Sequence, residues 1–121
     1  MRKTSDILWQ DAQHQVLFDI LDQIKQPDAD VTVLLRLKEY TESHFALEEL
    51  YMTRLNYPYL AEHVEAHQRF RGEILELLDR GEEFDEVYRQ LTATFLTEWL
   101  KRHVFGTDKK LEAFLLASET H

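Results

Sequence analysis

Two prolines and three glycines are all that punctuate 121 residues. A β fold of this length needs frequent tight turns built on such residues. The chain is therefore constrained to long helices joined by short connections. Apolar residues bear this out, recurring at three- and four-residue steps over four segments.

The first helix is expected over residues 5–26, with Ile7, Asp11, His14, Leu17, Phe18, Leu21 and Ile24 on one face. Residues 26–30 read as a turn, with Asp30 as N-cap of the second helix, residues 31–56. Its stripe is Val33, Leu37, Tyr40, His44, Leu47, Tyr51, Met52 and Leu55, with Glu48 beside it. The Tyr57–Pro58 pair ends it, because a residue before proline is pushed out of the α region. The third helix, residues 59–80, carries Leu60, His63, Val64, His67, Phe70, Ile74, Leu77 and Leu78, and Gly81 is placed to terminate it. The fourth, residues 84–105, carries Phe84, Val87, Tyr88, Leu91, Phe95, Trp99, Leu100, His103 and Val104. Gly106 is expected to break it, with a short helix bearing Leu111, Phe114 and Leu115 opening at Thr107 or Asp108. The expected fold is all-α: an antiparallel up-down-up-down four-helix bundle with a short C-terminal helix, one domain over residues 1–121.

Composition narrows the function. A hydrophobic fraction of 44% is enough for one core. The absence of cysteine excludes disulfide scaffolds, thiolate zinc sites, iron–sulfur clusters and cysteine nucleophiles. A net charge of -9 repels nucleic acid and anionic lipid, so neither is expected as a partner. No apolar stretch has the length of a signal peptide or a membrane span, and a cytoplasmic location is expected.

Five of six histidines fall on the apolar stripes: His14, His44, His63, His67 and His103. The sixth, His121, is terminal. A small helical core has few free backbone groups to satisfy five buried imidazoles. A metal ion would satisfy them together. His63 and His67 lie one turn apart on one face, as do His44 and Glu48. His103 and Asp108 are five apart, wrong for a continuous α-helix, and a turn at Gly106 is expected to bring Asp108 back to the site. Five nitrogens and two carboxylates exceed the needs of one ion and suit two. Imidazole with carboxylate fits iron, zinc or manganese. Carboxylate-rich di-iron bundles pair their ligands as Glu-x-x-His, a spacing absent here. A histidine-rich pair favours binding O2 over cleaving it, because neutral donors stabilise high-valent iron less than anionic oxygens do.

The motifs DAQH at 11–14, HFALEE at 44–49, YP at 57–58, HVEAH at 63–67 and WLKRH at 99–103, followed by Asp108, resemble those of the hemerythrins. The interval from His67 to His103 is similar to that of the bacterial members, the bacteriohemerythrins. The likeness spans residues 9–115. It implies reversible O2 binding, as carrier or store rather than enzyme, at two iron ions joined by an oxo or hydroxo bridge. His63, His67 and His103 would hold one iron, and His14 and His44 the other. Glu48 and Asp108 would bridge them, with Glu49 a rival for the place of Glu48. Leu100 and Trp99 would wall the O2 pocket. Two other readings stay open: a redox or O2 sensor acting on a separate protein partner, and an enzyme scavenging peroxide or NO. With 13 residues ahead of His14, the N-terminal arm is shorter than in that family and is expected to close the O2 side less completely. Asp11 is expected either to bond a ligand histidine or to favour the start of the first helix.

Overall fold

The computed structural model describes residues 3–81 and 83–119. Among the described residues five α-helices follow one another: α1 Leu8–Ile24, α2 Val31–Arg54, α3 Leu60–Arg80, α4 Glu86–Arg102 and α5 Asp108–Glu119. His121 lies outside the described residues. α1 packs on α2 and α4, and α2 packs on α3. Phe70 of α3 stacks on Trp99 of α4 at 4.5 Å and closes the ring of four. Short links between neighbouring helices make the bundle antiparallel. No helix among the described residues is long and apolar enough to cross a membrane.

The helix ends follow local chemistry. The Asp30 carboxylate accepts from the Thr32 amide at 2.9 Å and starts α2. Asp85 does the same for α4, accepting from the Tyr88 amide at 2.8 Å. Gly81 ends α3 in the left-handed region, φ 61°, where a side chain would be strained. α2 stops at Arg54, two residues earlier than expected, as Asn56 takes a positive φ of 56° ahead of Tyr57 and Pro58.

Two apolar clusters fill the interior. The larger includes Leu17, Leu21, Leu37, Phe70, Leu96 and Leu100. The smaller, Ile7, Met52, Tyr57, Leu111 and Leu115, joins the start of α1 and the end of α2 to α5. Along the helices of the bundle the histidines and carboxylates of interest fall between residues of one cluster and residues of the other. They form a polar layer with apolar material on both sides.

Three sequence expectations need correcting. On α4, Val87, Leu91 and Phe95 are 67%, 67% and 46% exposed, and the buried face is instead Thr92, Ala93, Leu96 and Leu100. Strict four-residue steps advance about 40° round a helix each time, so a stripe that starts at His103 has wound onto the outer side by Val87. On α2 the buried face is Leu34, Leu37, Thr41, His44, Phe45, Glu48 and Met52. Tyr51 and Leu55 lie toward solvent, since the face is centred on polar His44 and Glu48 and not on the apolar residues alone.

The third concerns Gly106. The chain does not break there. A π-helical segment, His103–Thr107, carries α4 straight into α5. Five residues turn an α-helix through about 500°, which would put Asp108 about 140° away from His103. In the wider π register the bond spans five residues, so position i+5 comes back over position i. His103 and Asp108 thus share a face without any turn. Gly106 has no positive φ, and a Cβ added to it would meet nothing within 4 Å. Gly106→Ala is expected to keep full metal content and to raise stability by about 0.5–1 kcal/mol, from lower unfolded-state entropy. Urea unfolding of the metal-free chain measures it; loss of metal in this variant would restore a turning role for the glycine.

Candidate metal centre

His14 from α1, His44 and Glu48 from α2, His63 and His67 from α3, His103 and Asp108 from the π segment and the start of α5 all point into the polar layer. None is more than 4% exposed. Their donor atoms form two overlapping sets, in each of which all atoms lie within 4.8 Å of one another. One set is His63, His67, His103, Glu48 and Asp108; the other is His14, His44, Glu48 and Asp108. The two carboxylates belong to both. Glu48 turns Oε1 toward His67 at 3.0 Å and His63 at 3.6 Å, and Oε2 toward His44 at 3.4 Å and His14 at 4.0 Å. Asp108 turns Oδ1 toward His63 and His103 at 3.0 and 3.1 Å, and Oδ2 toward His14 at 3.0 Å.

Close as these atoms are, they do not satisfy one another. The Nε2 atoms of all five histidines, Oε1 of Glu48 and both oxygens of Asp108 are buried without a partner in hydrogen-bonding geometry. So many orphaned buried donors and acceptors on one small space would cost several kcal/mol together. Cation binding would resolve the conflict, and nitrogen with carboxylate oxygen is the donor mix of a transition-metal site.

Residues 6–115 match the family model described as the hemerythrin HHE cation binding domain. The chain belongs to the hemerythrin family. It is 32% identical over 105 residues to a myohemerythrin of Riftia pachyptila, covering 87% of this chain and 82% of that protein. It is 30% identical over 105 residues to a bacteriohemerythrin of Stenotrophomonas maltophilia, covering 82% and 68%. A bacteriohemerythrin of Clostridium acetobutylicum is 26% identical over 111 residues, covering 83% and 86%. No solved structure gives a significant match.

The outer nitrogens of three of these histidines are held by residues that sequence reasoning placed elsewhere or missed. Nδ1 of His14 lies 2.9 Å from the Thr4 hydroxyl. That hydroxyl gives its only hydrogen to Asp11 at 2.8 Å, so it must accept from His14. Asp11 therefore acts on a histidine through Thr4 and not directly. Nδ1 of His44 donates to Oε1 of Gln13 at 2.6 Å, and Nδ1 of His67 donates to Glu49 at 2.8 Å. Each bond fixes the tautomer that leaves the Nε2 lone pair free for a cation. Glu49 is thus occupied outside the centre, where Arg71 also holds it at 3.3 Å. Phe45 stacks on His67 at 3.7 Å, and Trp99 on His103 at 5.1 Å.

The segment ahead of α1 reaches the centre. Thr4 and Ser5 are buried, and both bond into it through His14 and Gln10. Thr4 and Ser5 precede the helix and carry no periodic signal, so only the folded structure shows them.

Charge in the metal-free centre is set by mutual proximity. Burial pushes His63 down, but the facing carboxylates of Asp108 and Glu48 outweigh it and raise His63 to about 9. Burial and Asp108 push Glu48 up, yet the surrounding histidines hold it well below the usual carboxylate range. Asp108 is likewise depressed, with His103 the main cause opposing its burial. Burial lowers His44 more than Glu48 raises it. A cation needs the Nε2 lone pair, so His63 must lose its proton on loading. Metal uptake near pH 7 is expected to release about one proton per chain from this group, measurable by pH-stat titration. The stability that His63 lends the metal-free chain is full below its ordinary value of 6.5 and is lost as pH rises through about 9. Loading with no proton release at pH 7 would contradict this charge pattern.

Proposed function

We propose that this chain binds a pair of iron ions and takes up O2 reversibly at them, as a carrier or store. The reading is carried by the five unpartnered Nε2 atoms that converge with two shared carboxylates in two overlapping sets. His63, His67 and His103 would hold one ion, and His14 and His44 the other. Glu48 and Asp108 would serve both. An iron pair supplies reversible two-electron oxidation coupled to uptake of one O2 molecule.

The chain's own residues do the rest. The His14–His44 position has one imidazole fewer, and we assign the O2 to it. Leu100, buried in the larger apolar cluster, would wall the O2 pocket together with Trp99, which stacks on His103. Excluding water there limits the supply of protons that would release bound oxygen in reduced form. Two carboxylates among seven donors favour binding over oxygenation, so the protein is read as a carrier and not an enzyme.

Anaerobic loading with Fe(II) followed by metal analysis tests the reading. Two irons per chain are expected, with near-ultraviolet and visible charge-transfer bands when the oxidised protein is given azide. One zinc per chain, with iron refused, would overturn it.

A further inference from the structure

Gln10 is a polar residue fully buried on α1, one helical turn before His14. Its amide nitrogen donates to Oε2 of Glu48 at 2.9 Å. Its amide oxygen accepts from the Ser5 hydroxyl at 2.7 Å, and Ser5 in turn accepts from the Ile7 amide at 3.0 Å. The direction of the whole chain is fixed. An ionised carboxylate only accepts, so the amide must present nitrogen to Glu48, and its oxygen then faces a hydroxyl with one hydrogen to give. A backbone amide at the head of α1 is thereby linked, through two side chains, to a carboxylate shared by both donor sets.

The bond is made to one oxygen only. Oε2 is the oxygen on the side of His14 and His44, whereas Oε1 serves His63 and His67 and has no hydrogen-bond partner. Carboxylate rotation about its terminal bond could let both oxygens turn to the richer three-histidine set. A donor anchored on α1 opposes that rotation.

We propose that Gln10 is a positioning residue that holds Glu48 across the two donor sets, so that the two-histidine position keeps its carboxylate oxygen. The proposal rests on the two-ion reading above. Loss of this donor should weaken the second ion and spare the first.

The probe is Co(II), titrated anaerobically into the metal-free full chain and followed by calorimetry and visible absorption. The parent should bind in two steps, the tighter at the three-histidine set. Gln10→Met keeps the volume and removes the donor. Its second step should weaken by about 10- to 100-fold, the usual cost of losing a residue that orients a metal ligand, while the first step stays at the parent value. Ser5→Ala frees the amide without removing it and should weaken the same step by less. A merely structural role would shift both steps together or neither. Two steps in the parent with both unchanged, or both lowered alike, in Gln10→Met would overturn the proposal alone. A single step in the parent would overturn the two-ion reading and the proposal with it.

Discussion

Glu48→Ala is expected to leave less than one metal ion per chain. Each oxygen of this carboxylate faces a different histidine set, at 3.0 Å from His67 on one side and 3.4 Å from His44 on the other. Removing it takes a donor from both positions at once and also removes negative charge that offsets two cations. The cavity left would hold five imidazoles and only Asp108 to balance them. Binding stabilises only the folded state, so the thermal midpoint measured with metal present should fall as well. Glu49→Ala is the matched control. Glu49 touches the outer nitrogen of His67 and Arg71, not the metal-facing atoms. It should keep both ions, with affinity lowered by about 10- to 100-fold. Metal content by atomic spectrometry after desalting separates them. Two irons retained in Glu48→Ala and lost in Glu49→Ala would reverse the roles given to these neighbours.

Leu100→Ala is expected to act on the oxygenated form while leaving metal content intact. Leu100 is 1% exposed and lies in the larger apolar cluster, three residues before His103 on the inner face of α4. Truncation opens space beside the polar layer, and a cavity bordered by polar atoms admits water. Water brings a proton donor to bound oxygen, so the oxidised, O2-free form should build up faster than in the parent. Stability should fall by about 2–5 kcal/mol where the site does not collapse. The decay of the oxygenated spectrum is to be compared at a temperature where both proteins are fully folded. Equal decay rates, with stability alone reduced, would make Leu100 ordinary core.

The fold was legible because few breakers and long amphipathic runs leave a helical bundle as the consistent answer. That seven polar side chains gather in one buried layer was legible for the same reason: His63 with His67, and His44 with Glu48, share helix faces by spacing alone. Asp108 was legible as a member, but its route was not. A π-helical segment depends on a hydrogen-bond register that spacing does not reveal, and the nearby glycine offered a simpler and incorrect explanation. The outward stripe of Val87, Leu91 and Phe95 misled for a related reason, since four-residue steps mimic a core face over two turns and drift off it over four. The residues that hydrogen-bond to this layer were least legible. Gln13 and Glu49 work across helices, Thr4 and Ser5 work from outside any helix, and Gln10 is a polar side chain whose partner is set by packing.

The central claim is reversible O2 binding, and stopped-flow mixing of the diferrous protein with O2, followed by purging with inert gas, tests it most directly. The account predicts one O2 taken up per chain and full return to the starting spectrum over repeated cycles. Immediate and lasting conversion to the oxidised form, with peroxide released into solution, would contradict it.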